Sequence, residues 1–130
     1  WPHRTHQNGL SGDFMSPLLK NGISTTDFNT IGLPHYLMDF DENGIYTEDQ
    51  NYRIDFNLIA RHLLELNEQA HKNGLKIDKV ILKIALKDEL FASEYGQKLK
   101  NSGIYFATKL SELIDSLHDD HYHVDFGLIP

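Results

Sequence analysis

His121-Tyr122-His123-Val124-Asp125-Phe126-Gly127-Leu128-Ile129 alternates apolar with polar or small residues. Residues two apart on a strand share a face. Tyr122, Val124, Phe126 and Leu128 then face one way, and His121, His123, Asp125 and Gly127 face the other. The pattern predicts a strand anchored in the core on one side. Its other side carries two imidazoles on a rigid element, as a metal or catalytic site needs.

Working back from this strand, the spacing of Phe106, Leu110, Leu113, Ile114 and Leu117 predicts a long helix over 104–117. A shorter helix is expected over 88–100, ended by Asn101-Ser102-Gly103. Val80-Ile81-Leu82-Lys83-Ile84 is nearly all apolar. It predicts a central strand over 77–86, covered on both faces. Ile59, Leu63, Leu66 and Ala70 recur at spacings of three and four, so 56–73 is the clearest helix. Asp55 is its N-cap and Gly74 its stop. Residues 35–46 read as a β-hairpin that turns at Asp41-Glu42-Asn43-Gly44. Residues 1–34 hold repeated turn signals and read as irregular, with an extended piece around Asp13-Phe14-Met15. Helices and strands mix without a strict βαβ rhythm. The expected fold class is α+β: one domain with a largely antiparallel sheet and flanking helices.

Composition narrows the function. The net charge is −7, from 19 acidic and 12 basic residues, which disfavours nucleic acid or an anionic membrane surface as partner. No apolar run reaches the roughly 20 residues of a membrane span. The chain has no cysteine, so thiolate metal sites, disulfides and a cysteine nucleophile are excluded. The sequence starts at Trp1-Pro2-His3 without a methionine, so an upstream segment is expected to be missing.

Histidine is over-used, with 8 in 130 residues, and clusters at both ends: His3 and His6, then His118, His121 and His123. His6 and Asp13 are seven positions apart, with Gly9 and Gly12 between them to let a loop bring the side chains together. One His, one Asp and a further His make three protein ligands. Zinc held by three N/O ligands keeps a position for water, which marks a catalytic site. Such a set also accepts other divalent ions.

His3-Arg4-Thr5-His6-Gln7-Asn8-Gly9 with Asp13, and His118-Asp119-Asp120-His121-Tyr122-His123, resemble the penicillin-insensitive murein endopeptidases. These belong to the wider group of lysostaphin-type, D-Ala-D-Ala-type and hedgehog-type zinc domains. The resemblance directly covers about a fifth of the chain and rests on motif spacing. It implies a hedgehog/D-Ala-D-Ala-peptidase-like fold and one Zn2+ per chain, bound by His6, Asp13 and His123. It implies hydrolysis of peptide bonds in bacterial cell-wall cross-links, with peptidoglycan stem peptides as partners and a periplasmic or secreted location. His121 is implied as general base or stabiliser of the tetrahedral intermediate. His3 and His118 line the site, and Arg4 is a candidate for a substrate carboxylate. Asp120 competes with His121 for the role of base, since D-Ala-D-Ala peptidases carry an acid three residues before the last ligand. One departure is Ser11-Gly12 between Gly9 and Asp13, which is expected to loosen the loop.

Other readings compete with the enzyme. A non-catalytic zinc-bearing binding module of the hedgehog type, or a purely structural zinc site, would use the same ligands. Asp39-Phe40-Asp41-Glu42-Asn43-Gly44 imitates the start of a calcium loop, but its twelfth position is Gln50 and its flanks read as strands. A hairpin turn fits better. His62 and His71 are expected to be solvated helix residues, and His35 a strand-edge residue.

Overall fold

The helix foreseen from its apolar stripe is α1, Phe56–Lys72. Asp55 caps it by accepting the Leu58 N–H at 3.1 Å, and Gly74 follows at φ +76°. The stripe buries Ile59, Ala60 and Leu63 completely. In this computed structural model, residues 10–27, 38–108 and 120–130 are described.

α1 lies against a three-stranded antiparallel sheet made of β1 (Leu10–Met15), β6 (His121–Leu128) and β5 (Leu75–Ile81), in the order β1-β6-β5. The central strand is therefore β6, not β5 as its apolar run suggested. The outer edge of β5 is partly met by an extended segment: Val80 N–H donates to Tyr105 O and Ala107 N–H to Val80 O, a parallel bridge at Phe106. Lys87 Nζ donates to Ala107 O and pins the same segment.

Two expected elements are corrected here. The strand predicted over 77–86 runs over Leu75–Ile81, and Ile84–Leu86 is a single 3₁₀ turn. Leu82, Leu86 and Leu90 are all buried at a spacing of four, which carries the chain from strand into helix. The helix predicted over 104–117 is absent from its described part, because Ile104 to Thr108 hold no helix and Phe106 bridges β5. Its remaining residues lie outside the described ones.

The helix expected over 88–100 is two: α2 (Lys87–Ala92) and α3 (Glu94–Asn101). Ser93 divides them in an extended conformation, and its Oγ accepts from Gly96 N. Two further strands fall where an irregular chain was expected. β2 (Leu18–Lys20) pairs with β3 (Ile23–Thr25) and with β4 (Tyr52–Ile54), giving a second antiparallel sheet ordered β3-β2-β4. The described part of the 35–46 hairpin is reduced to a Phe40↔Tyr46 bridge. Its turn forms at Asp41–Gly44, and Asp41 Oδ1 accepts from the backbone of Asn43 and Ile45, as Asp does in an Asx-type turn. The architecture is a mixture of helix and antiparallel sheet.

Candidate functional site

β6 takes its place because its alternation matches the sheet. Tyr122, Val124 and Phe126 are buried against α1 and the core, while His121, His123 and Asp125 are partly exposed on the other face. β1 pairs antiparallel with it, so that Asp13 stands opposite His123, Phe14 opposite Tyr122, and Met15 opposite His121. Leu10 to Asp13 are strand residues. The loop expected between His6 and Asp13 is thus half strand, and Ser11-Gly12 pair with Asp125 and Val124 instead of loosening it.

This register brings Asp13 Oδ1 to 2.7 Å from His123 Nδ1, and the other ring nitrogen, Nε2, to 2.7 Å from Asp125 Oδ1. Two acceptor atoms so close need a proton or a cation between them. Asp13 is the more exposed partner, with a side chain 41% accessible against 17% for Asp125. The outer side of His123 is therefore the side open to an ion. Lys79, the cross-strand neighbour of Asp125, places Nζ 3.6 Å from its Oδ2.

One position before the strand, Asp120 is 2% exposed and its Oδ1 lies 2.8 Å from His121 Nδ1. Its backbone oxygen accepts from Ser16 N at 2.9 Å. The Asp120 carboxylate is thus buried beneath the His121 ring and paired with it. Asp120 Oδ2 and Ser16 Oγ are buried polar atoms with no hydrogen-bond partner among the described residues.

Behind this face lies an aromatic platform. Phe14 stacks on Tyr122 with ring centres 5.6 Å apart, and His62 meets Phe14 edge-on at 4.8 Å. His62 Nδ1 is 2.6 Å from Tyr122 Oη. Burial pushes the Tyr122 phenol up, so it keeps its proton; burial also holds His62 below its ordinary value. His62 is thus not the solvated helix residue expected from its position. His71 is exposed, as expected, and bonded to its own helix at Asn67 O. A cleft of about 330 Å³ opens beside the platform between Met15, Pro17, Leu58 and Arg61.

Of the residues singled out in the sequence, Asp13, Asp120, His121 and His123 gather on this end of the sheet. His3, Arg4, His6, His35 and His118 lie outside the described residues. Among the described residues, no group of three His, Asp or Glu closes on one point in a way that could hold a metal ion. The described donor set is the Asp13–His123 pair. One carboxylate and one imidazole are donor types that suit a divalent ion, and the third expected ligand, His6, lies outside the described residues. Asp125 and Lys79 were given no role from sequence. The i, i+2 spacing of His123 and Asp125 was the available signal, whereas the Lys79 pairing depends on a register shift between Ile77 and Lys79. No helix among the described residues is long and apolar enough to cross a membrane. Comparison with protein-family models, with curated proteins and with solved structures finds no match.

Proposed function

We propose that this chain is a zinc-dependent peptidase domain of the hedgehog/D-Ala-D-Ala-peptidase-like kind. Its substrates are peptide bonds of bacterial cell-wall cross-links, met in the periplasm or outside the cell. The observation that carries the reading is the cross-strand pair Asp13–His123, 2.7 Å apart, with His121 next on the same face of β6. It adds to the resemblance of the two histidine motifs. In this reading His6 completes the ligand set with Asp13 and His123.

A bound zinc supplies Lewis acidity, polarising the scissile carbonyl and lowering the pKa of water to about 7. The chain supplies the rest. Asp120 accepts from His121 Nδ1–H and fixes the ring, so general-base work falls to Nε2. That nitrogen takes the proton of the attacking water and returns it to the leaving amine. The aromatic platform of Phe14, Tyr122 and His62 holds the strand pair rigid beneath these groups.

The test is to load the protein with zinc, count the metal, and incubate it with cross-linked muropeptides. One zinc per chain and a newly freed amine detected by mass spectrometry are expected. Zinc bound without hydrolysis leaves the binding-module reading in place of the enzyme. A chain that takes up no zinc sinks both.

A further inference from the structure

Asp13 accounts for only one of the two ring nitrogens of His123; the other is held from inside the sheet. Asp125 follows His123 by two positions on β6, so both side chains leave the same face. Asp125 Oδ1 lies 2.7 Å from His123 Nε2. Its other oxygen faces Lys79 Nζ at 3.6 Å, across the β5–β6 register. A carboxylate only accepts, so Nε2 serves Asp125 as an N–H donor. Asp13 is a carboxylate as well, and the more exposed of the two, so a cation entering on that side takes the place of the Nδ1 proton while Nε2–H stays with Asp125.

We infer that Asp125 is a positioning residue. It selects the Nε2–H form of His123 and aims Nδ1 at the point beside Asp13 where a divalent cation would be held, while Lys79 steadies the carboxylate from β5. The assignment rests on the zinc reading above. A metal-binding imidazole that donates its second N–H to a carboxylate is better oriented and more basic, and loss of that partner typically costs about 10–100-fold in metal affinity. The sheet gives this arrangement its stiffness. The ligand, its partner and the partner's counter-ion sit on adjacent paired strands rather than on loops. Lys79 is 42% exposed, so its own contribution is small.

The test compares the wild-type chain with Asp125→Ala, Asp125→Asn and Lys79→Met in competition titrations against a chromophoric zinc chelator. Long-range 1H–15N spectra of the zinc-loaded proteins identify the coordinating nitrogen of His123. The wild type is expected to bind one zinc through Nδ1. Asp125→Ala should weaken binding about 10–100-fold and mix the two ring orientations. Asp125→Asn, whose amide oxygen still accepts from Nε2–H, should recover most of the affinity and the Nδ1 signature. Lys79→Met should stay within a few-fold of wild type. Wild-type binding with Asp125→Ala unchanged in both readouts overturns the role of Asp125 and leaves the zinc reading standing. A wild type that binds no zinc overturns the zinc reading, and this assignment with it.

Discussion

Asp13 and His123 stand opposite each other on β1 and β6, 110 residues apart in sequence and 2.7 Å apart at Oδ1 and Nδ1. The backbone ladder from Leu10↔Phe126 to Met15↔His121 holds them there. Early and late segments of the chain are thus already joined by strand pairing. A metal held by this pair would add to a closure that exists without it.

Chelation should therefore lower the melting temperature without unfolding the sheet. At free zinc 100-fold above its dissociation constant the linkage amounts to about 2.7 kcal/mol. Calorimetry with and without chelator should show the shift, while the far-UV circular dichroism at room temperature stays the same. Equal melting temperatures sink the metal site. Loss of the far-UV spectrum on chelation sinks the preformed ladder.

The Asp120–His121 pair predicts a division of labour. His121→Ala should retain zinc and lower kcat by about 10²–10⁴-fold, the usual contribution of a positioned acid–base group. Asp120→Asn replaces an acceptor by a group that can also donate towards Nδ1, so the ring form changes. Its kcat should fall with KM little altered, because the carboxylate is buried beneath the His121 ring. Full activity in His121→Ala removes the assigned base. A rise in KM alone for Asp120→Asn removes the positioning role.

The site-bearing strand was legible because burial on one face leaves a period of two in Tyr122, Val124 and Phe126. α1 was legible for the matching reason at a period near 3.6. Where two elements share one apolar run, as at Val80 to Leu86, the boundary was lost, since strand and turn bury neighbours from the same stretch. Phe106 misled in another way: its spacing to later apolar residues suits a helix, but its backbone neighbours bond to Val80. The strands β2 and β3 are three residues each, and Ile23 is 72% exposed, so no alternation announced them. At the site, residue types and spacing marked Asp13, His121 and His123. The partners Asp125–Lys79 and His62–Tyr122 depend on register and packing, which one sequence does not encode locally.

The turn that carries Phe40 and Tyr46 hinges on Gly44. Its φ is +79°, and a Cβ placed there would meet the Phe56 ring at 2.5 Å. Ile54 N also donates to Gly44 O at 2.8 Å, tying the turn to β4. Gly44→Ala must bear both backbone strain and a clash with a buried ring that opens α1. The expected loss exceeds about 1 kcal/mol, read as a lower urea midpoint with the slope kept. An unchanged midpoint shows that the turn yields and does not hold Phe56 in place.

The last prediction concerns pH and the platform beneath the site. Tyr122 Oη lies 2.6 Å from His62 Nδ1 in a partly buried contact. Burial holds His62 below its ordinary value of 6.5, against a weaker upward pull from Glu65. The unfolded chain therefore binds a proton on His62 more readily than the folded one. The resulting stability is fully present above about pH 6.5 and is lost as pH falls towards the lower folded value. His62→Gln keeps a side-chain acceptor for the Tyr122 hydroxyl but does not titrate. Melting temperatures measured in chelator from pH 7.5 down to acid should then fall more steeply for the wild type than for His62→Gln. All other histidines and carboxylates are common to both proteins, so the difference isolates His62. Parallel curves would mean that the His62–Tyr122 contact carries no proton linkage, and that the platform's rigidity rests on Phe14 and Tyr122 stacking alone.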